Sequence, residues 1–298
     1  MFPTPLVPLQ LGEAGPVIWS KLEFLNPSGS TKDRIAAYIL AKSKSEGTLH
    51  PGQTVIEASS GSTSIAFALA CARQGLRFMA VMPEGVSNER VLMIRAYGGE
   101  VRFTPRGSGL TGAIAESQRL AVEVGGFLPR QFSNPDNAAA QEAGAGSEIL
   151  QQIPGGRVDA VVSGVGTGGT IAGFYNAARK TNPSVRAVVA RPVEISDPPE
   201  AECCSFSSQI PGVADGVSEI FRNTVFDSLT TIEVRQEEAI RTTRELIRRG
   251  YPVGPSSGLN YAAAVAVARE CPVGAIIVTV FPDRMERYFT TALFDPYR

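Results

Sequence analysis

The stretch Val158-Asp-Ala-Val-Val-Ser-Gly-Val-Gly-Thr-Gly-Gly-Thr-Ile171 contains the unit that decides the fold. Its first half is a short apolar run typical of a buried strand, and its second half is a glycine-dense turn in front of a helical pattern. Similar apolar runs alternate with helical patterns along nearly all of the 298 residues. This alternation predicts βαβ units with mainly parallel, two-sided buried sheets, so the predicted fold class is α/β.

The predicted elements cover most of the chain. Apolar runs with the length of strands lie at 17–22, 54–56, 77–82, 101–104, 158–162, 185–190, 230–234 and 275–280. Segments with helical periodicity lie at 32–44, 62–74, 88–97, 112–124, 138–152, 237–249 and 259–269.

Composition and charge exclude several classes of function. A formal net charge of −1 provides no basic field for nucleic acid, and no run approaches the roughly 18 apolar residues of a membrane span. The N-terminal residues lack the pattern of a signal peptide. The four cysteines match no zinc spacing, and His50, the single histidine, lies in a turn-like segment. We therefore expect a reduced, cytoplasmic protein without a metal site.

The glycine run at residues 164–170 has the properties of an anion site. Glycines let the backbone approach a ligand closely, and the following helix N-terminus adds partial positive charge. Gly164, Gly166 and Gly169 also satisfy the dinucleotide pattern Gly-x-Gly-x-x-Gly, with Glu194 as a possible ribose-binding acid. A turn that merely packs the helix on the strand is a third interpretation, so this run alone does not identify a cofactor.

A lysine in the N-terminal third bears on which cofactor the glycine run would bind. Ser30 and Thr31 are candidate N-caps, which places Lys32 in the first turn of a helix, at the unfavourable end of the helix dipole for a cation. A solvated surface lysine is one interpretation. The alternative is a lysine whose pKa is lowered there, because a neutral amine can form a Schiff base.

The segment Asn26-Pro-Ser-Gly-Ser-Thr-Lys-Asp-Arg34 resembles the cofactor-lysine motif of the cysteine synthase/cystathionine β-synthase family, which are pyridoxal-phosphate enzymes of fold type II. The resemblance continues in chain order through nearly the whole sequence. Its further motifs are Thr4-Pro-Leu-Val7, Glu57-Ala-Ser-Ser-Gly-Ser-Thr-Ser64, Met82-Pro-Glu84, Tyr97-Gly-Gly-Glu100, Gln131-Phe-Ser-Asn-Pro135, Gly166-Thr-Gly-Gly-Thr170 and Pro255-Ser-Ser-Gly258.

The resemblance implies two three-layer α/β domains with the active site between them. Residues 35–134 would form a smaller, mobile domain that carries the substrate loop and closes on the substrate. Residues 11–34 and 135–298 would form the larger domain that binds the cofactor phosphate. Residues 1–10 are expected to pack on the smaller domain or on the partner subunit of a homodimer.

The resemblance also assigns roles to individual residues. Lys32 would bind pyridoxal 5'-phosphate as a Schiff base and later remove the substrate α-proton. Ser256 would hydrogen-bond the pyridine nitrogen, although it is also a candidate N-cap for the helix predicted near Leu259. The remaining cofactor residues would be Ser62, Gly166, Thr167, Gly168, Gly169 and Thr170. The substrate carboxylate would be bound by Ser59, Ser60, Gly61, Ser62, Thr63 and Gln131.

Three departures from the family pattern bear on the substrate. Ser62 stands where the family usually has an asparagine that contacts both substrate and cofactor, and a serine is too short to make both contacts in the same way. The segment 210–216 matches the family's loop over the cofactor loosely. The segment Pro282-Asp-Arg-Met-Glu-Arg-Tyr288 keeps the general closing pattern with unusual residues.

The family implies β-replacement: an O-activated serine, acetylated or phosphorylated, would lose its leaving group to give an aminoacrylate, and sulfide would add to form L-cysteine. The alternatives are β-elimination, as in cysteine desulfhydrases and serine/threonine dehydratases, and β-replacement by an amine, as in diaminopropionate synthesis. From other classes, a non-catalytic binding protein and a nicotinamide-dependent dehydrogenase stay open. The expected ligand is in any case a small amino acid.

Overall fold

A computed structural model of the chain describes residues 2–12, 15–193, 210, 213 and 218–298. The strands are β1 (Leu6–Leu9), β2 (Ile18–Lys21), β3 (Thr54–Ala58), β4 (Arg77–Pro83), β5 (Glu100–Thr104), β6 (Ala160–Ser163), β7 (Arg186–Val193), β8 (Leu229–Arg235) and β9 (Ile277–Val280). The α-helices are α1 (Lys32–Ser45), α2 (Ser62–Ala72), α3 (Asn88–Ala96), α4 (Gly109–Val124), α5 (Asp136–Gln141), α6 (Ser147–Gln152), α7 (Gly169–Ala178), α8 (Glu219–Asn223), α9 (Gln236–Arg248) and α10 (Pro255–Glu270).

The larger sheet has six strands in the order β1-β2-β9-β6-β7-β8, and every neighbouring pair is parallel except β1 with β2. Successive side chains of a strand point to opposite faces, and β6 shows this directly. Val162 packs into a core cluster with Leu246 of α9 and Val267 of α10. Val161 packs on the other face with Phe174 of α7. Helices therefore cover both faces of this sheet.

The smaller sheet has three parallel strands in the order β3-β4-β5. Val55 of β3 packs with Ile65 of α2 and Ile39 of α1 on one face. Ile56 packs with Leu120 of α4 on the opposite face. The chain thus contains two three-layer units with mainly parallel sheets, which confirms the α/β fold class. The domain boundaries at residues 34/35 and 134/135 stay predictions.

The N-terminal segment does not follow the prediction that residues 1–10 pack on the smaller domain. Leu6–Leu9 instead forms β1, which pairs with β2 at the edge of the larger sheet. Pro5 and Pro8 make this segment look unlike a strand in the sequence. Prolines are nevertheless tolerated in edge strands, because the backbone N–H groups on the outer side of such a strand have no neighbouring strand to bond. A contact of this segment with a partner subunit stays a prediction.

The predicted helix at 138–152 is interrupted. A π-helical turn, Glu142–Gly146, separates α5 from α6, and Gly144 has φ −92° and ψ −105° inside it. Gly144 lies against the side chain of Arg34, and a Cβ there would stand 3.0 Å from Nη1. The periodicity of the residues is continuous across the break, so the sequence pattern does not reveal it.

A buried cluster of charges fastens α1 to the N-terminal segment and to α6. The Arg34 guanidinium contacts Glu23 (Nε to Oε2, 2.7 Å) and Glu148 (Nη1 to Oε1, 2.7 Å). The Thr4 hydroxyl donates to Glu23 Oε1 at 2.6 Å, and Lys21 Nζ donates to the Thr4 carbonyl at 2.7 Å. Because Arg34 lies two residues after Lys32, this cluster fixes the start of the helix that carries the candidate Schiff-base lysine.

Within the described part of the chain, the helices are too short or too polar to cross a membrane.

Candidate active site

A large cleft opens where the carboxyl ends of β3, β4, β6 and β9 meet, with residues of both sheets in its walls. Clefts at the carboxyl ends of parallel strands are the usual ligand sites of α/β folds. The space between its walls, including the open mouth, is about 1310 Å³. The sequence-predicted site residues that line it are Lys32, Ser59, Ser60, Gly61, Ser62, Thr63, Gln131, Gly166, Thr167, Gly168, Thr170 and Ser256.

Lys32 is the first residue of α1, as predicted, and its side chain faces the cleft. The helix start is pinned from a distant part of the chain, because the Thr31 N–H donates to the Pro282 carbonyl at 2.8 Å. Burial lowers the pKa of the Lys32 amine, and the nearby Asp283 carboxylate partly opposes that shift. The prediction attributed a lowered pKa to the helix N-terminus, whereas removal from water is the larger cause.

The glycine loop after β6 has no room for side chains at its helix start. Gly168 has φ +76°, and a Cβ on it would stand 2.6 Å from Cβ of Phe221. Gly169 begins α7 without lining the cleft, and a Cβ there would stand 1.9 Å from Asn137 Oδ1. The helix that follows has ten residues, and the first N–H groups of a helix have no partner within it. The loop therefore fits a phosphate group.

The substrate loop at residues 59–63 connects β3 to α2. The Ser59 hydroxyl accepts from the Gly61 N–H at 2.9 Å, so it shapes the loop. The Thr63 hydroxyl donates to Gln131 Oε1 at 2.6 Å, and Gln131 Nε2 donates to the Ala58 carbonyl at 2.6 Å. Ser60 and Ser62 are more exposed to the cleft than these three residues. The cleft thus brings the predicted carboxylate-binding residues together, with part of their hydrogen-bonding capacity used to hold the loop.

Arg90 packs directly behind this loop, and no motif or spacing in the sequence indicates it. Gly61 has φ +156°, and a Cβ on it would stand 2.4 Å from Arg90 Cδ, so the position needs glycine. Arg90 Nη1 donates to the Ser60 carbonyl at 2.9 Å, and its guanidinium lies 5.2 Å from the centre of the Tyr288 ring. Arg90 is 4% exposed, so its charge acts on the loop with little screening by water.

Asn137 links the two anion-binding loops and was also missed. Its Nδ2 donates to the Gln131 carbonyl at 2.8 Å and to Thr167 Oγ1 at 2.9 Å. Asn137 is fully buried, and its Oδ1 accepts no hydrogen bond from the described residues. One amide therefore joins the substrate-loop side of the cleft to its glycine-loop side.

Glu57 lies under the substrate loop as a buried acid. Burial raises the pKa of its carboxyl to about 8, although backbone N–H groups of Gln131 and Ala58 oppose that shift. The two bonds measure 3.2 Å from Gln131 and 3.0 Å from Ala58. This carboxyl is largely protonated at neutral pH, so it supports the loop without adding a full negative charge beside an anion site.

Ser256 lies in the first turn of α10, which begins at Pro255. The alternative interpretation of Ser256, as the N-cap of a helix beginning near Leu259, is therefore wrong. A proline at the first helical position starts the helix earlier than the apolar periodicity indicates. The Ser256 side chain lines the cleft, where a hydroxyl can meet a ring nitrogen.

Ser62 contacts the segment that closes the fold. Its hydroxyl donates to Asp283 Oδ2 at 3.0 Å, and the Tyr288 hydroxyl donates to the same oxygen at 2.7 Å. Asp283 and Tyr288 belong to the segment whose residues looked unusual in the sequence. Glu194 and most of the segment 210–216 lie outside the described residues.

The donor set of the cleft fits pyridoxal phosphate group by group. An aldehyde requires an amine, which Lys32 offers, and the cofactor phosphate requires a cradle, which the loop before α7 offers. A ring nitrogen requires a hydrogen-bond partner, which Ser256 offers. These three features lie in one cleft, at the ends of different strands. The lysine and the serine have no part in the dinucleotide pattern, so the arrangement favours pyridoxal phosphate over a nicotinamide cofactor.

Comparisons with known proteins agree with this fit. The family described as pyridoxal-phosphate dependent enzyme matches residues 1–283. A cysteine synthase of Staphylococcus aureus (strain Mu50) is 36% identical over 295 residues, covering 98% of this chain and 94% of the relative. The crystal structure of an O-ureido-L-serine synthase superposes with a TM-score of 0.87 at 36% identity, over 99% of this chain and 93% of that one.

A second solved structure is the O-acetylserine dependent cystathionine beta-synthase from Helicobacter pylori. It superposes with a TM-score of 0.86 at 32% identity, over 98% of this chain and 95% of that one. The similarity thus extends over nearly the whole length of each protein. By sequence and by fold, this chain belongs to the pyridoxal-phosphate dependent enzymes, and it is a fold type II member that uses pyridoxal phosphate.

Proposed function

We propose that this protein catalyses β-replacement on an O-activated serine, with sulfide as the nucleophile and L-cysteine as the product. The observation that carries the proposal is the position of Lys32: its amine, with a lowered pKa, lies in one cleft with a phosphate cradle and a substrate loop. The relatives named for cysteine synthesis and O-acetylserine use support the choice of substrate class.

We assign the residues of the cleft as follows. Lys32 holds the cofactor aldehyde and then takes the substrate α-proton, because a neutral amine is needed for both tasks. Bound pyridoxal phosphate supplies an electron sink for that proton removal. Ser256 would hold the ring nitrogen. The cofactor phosphate would be bound by Gly166, Thr167, Gly168, Gly169 and Thr170. The substrate carboxylate lies on Ser59, Ser60, Gly61, Ser62, Thr63 and Gln131, with Ser62 also facing the cofactor.

The test is a substrate screen with the purified, cofactor-loaded protein. O-acetylserine and O-phosphoserine are each added, first alone and then with sulfide. We expect the cofactor absorbance to change on adding at least one of them and to return when sulfide is added, with L-cysteine as the product. If no O-activated serine changes the absorbance or yields cysteine, the proposal is wrong.

β-Elimination is the second candidate, and Ser62 favours it. The serine at this position is shorter than the family's asparagine and directs its hydroxyl to Asp283. The substrate and the cofactor are therefore held differently here. Cysteine alone, incubated with the loaded protein, distinguishes the two reactions. Release of sulfide and pyruvate faster than cysteine synthesis in the screen above would identify an elimination enzyme.

We further propose that the protein is a cytoplasmic homodimer whose smaller domain closes on the substrate. The family resemblance supports the dimer and the closure. The described cysteines support a reduced compartment, because Cys71 and Cys271 are both free thiols. Light scattering of the purified protein would settle the number of subunits.

A further inference from the structure

Asp283 lies between the two segments that we assign to the cofactor. Its backbone forms a β-bridge with Ser30, two residues before Lys32, and its carbonyl accepts from the Gly254 N–H at 2.9 Å. Gly254 in turn lies two residues before Ser256. The Asp283 carboxylate lines the cleft and is 6% exposed. The backbone therefore holds a nearly buried carboxylate beside the reacting groups.

The two oxygens of this carboxylate have different surroundings. Oδ2 accepts hydrogen bonds from the Ser62 and Tyr288 hydroxyls. Oδ1 is buried and accepts no hydrogen bond from the described residues. A buried carboxylate oxygen without a donor is costly, so Oδ1 is the oxygen of Asp283 that is open to a further donor. Gly254 leaves space beside Oδ1, since a Cβ there would stand 2.4 Å from that oxygen.

Three cationic side chains of the described residues line the cleft, and we compare them as possible hydrogen-bond donors to Asp283 Oδ1. Arg90 uses Nη1 for the Ser60 carbonyl and lies over the Tyr288 ring, while its Nε is buried and donates to no described residue. Arg106 is an exposed side chain next to Gly85. Lys32 lines the same cleft and begins α1 two residues after the Ser30–Asp283 bridge, and the Asp283 carboxylate is the charge that partly opposes the lowering of the Lys32 pKa. Besides these groups, the ionisable side chains that the described residues place in the cleft wall are Glu84 and Tyr288.

We propose that Asp283 is a positioning residue that stabilises the ammonium which Lys32 becomes when it takes the substrate α-proton, through a hydrogen bond from Nζ to Oδ1 that forms at that step. The proposal rests on the β-replacement function. In the proton transfer, the substrate Cα–H bond breaks and an N–H bond forms at Nζ. The electron pair left at Cα forms the Cα=Cβ bond as the leaving group departs with its own pair. The amine thereby gains a positive charge away from bulk water, where an opposite charge in place stabilises it.

Ser62 acquires a role in this arrangement. Its hydroxyl and that of Tyr288 both hold Oδ2, and this leaves Oδ1 as the oxygen available to the lysine. The residue that departs most from the family pattern thus orients the carboxylate. This gives a physical reason for a serine at that position.

The test is the Asp283→Asn variant, which keeps the size of the side chain and removes its charge. The first measurement is competitive acetylation of the full-length protein before cofactor loading, as a function of pH, which reports the pKa of Lys32. We expect a lower pKa in Asp283→Asn, because a negative charge that favours the ammonium has been removed. This measurement requires no turnover, so it remains decisive if the protein uses none of the expected substrates.

The second measurement is the pH dependence of kcat in the cofactor-loaded enzyme. The acid limb of the profile reports the lysine, which must be a free amine to accept the proton. We expect that limb to move to lower pH in Asp283→Asn. We expect kcat to fall about 10- to 100-fold with KM nearly unchanged, because the ammonium is destabilised after substrate has bound.

Asp227→Asn is the matched control, because Asp227 Oδ2 also accepts from a tyrosine hydroxyl, that of Tyr175, at 3.0 Å, outside the cleft. We expect it to leave both measurements unchanged. An unchanged Lys32 pKa and acid limb in Asp283→Asn, or an equal shift in Asp227→Asn, would overturn the proposal. If Asp283→Asn does not fold, Asp283→Ser removes the same charge and carries the same expectations.

Discussion

Replacing Lys32 by alanine is expected to lower kcat by at least about 1000-fold, because the variant lacks both the amine that binds the cofactor covalently and the base that takes the α-proton. The glycine loop and Ser256 are untouched, so the cofactor should still bind, though reversibly. The measurements are steady-state synthesis of cysteine and retention of the cofactor absorbance after gel filtration.

Lys44→Ala is the control for that experiment, because Lys44 lies on the same helix with an exposed side chain. It should retain both the activity and the cofactor. Borohydride reduction adds a second readout: it should fix the cofactor to the Lys32 peptide in the wild type and to no peptide in Lys32→Ala. Covalent labelling of a different lysine would contradict the assignment of Lys32.

The second large effect concerns stability. Replacing Arg34 by alanine is expected to lower the free energy of unfolding by about 3–5 kcal/mol, because it leaves the fully buried Glu23 carboxylate without its cation, whereas Glu148 keeps Lys21 Nζ at 2.7 Å. Glu23 is fully buried and contacts Arg34 at 2.7 Å, and Glu148 is largely buried at the same distance. Urea unfolding at neutral pH, followed by circular dichroism, measures the change.

Arg119→Ala provides a matched comparison for Arg34→Ala. Arg119 also contacts two carboxylates, Glu116 at 2.8 Å and Glu123 at 2.7 Å, but its side chain is exposed. Exposed pairs of this kind contribute about 0–1 kcal/mol. If Arg34→Ala and Arg119→Ala lowered the free energy of unfolding equally, the buried charge cluster around Arg34 would not stabilise the fold in the way we describe.

That the motif-bearing residues lie in the candidate site could be predicted from the sequence, because each motif has a local signature, whereas their roles stay predictions. Lys32 sits in a turn that opens a helix, and the glycine run follows a strand. Such features depend on neighbouring residues and can be read without knowing the fold. The predicted strand and helix runs all correspond to observed elements, although the helix at 138–152 is divided at Gly144.

The rest of the site depends on contacts between distant residues. Asp283 meets Ser62 across 221 positions of sequence, and Asn137 meets Thr167 across 30. No periodicity or spacing in the sequence predicts such a contact, and each of these side chains by itself resembles an ordinary polar loop residue. Arg90 is the clearest example: it looks like a surface cation on a helix but lies buried behind Gly61.

The pairing of β2 with β9 has a consequence for synthesis of the protein. β2 ends at Lys21 and β9 begins at Ile277, so the larger sheet cannot close until almost the entire chain has left the ribosome. The smaller sheet uses strands that follow one another within Thr54–Thr104, so it can form earlier. Pulsed hydrogen exchange during refolding should protect β4 before β2. The start of α1 at Lys32, held by the hydrogen bond from Thr31 to Pro282, is then placed last, once the surrounding cleft is nearly complete.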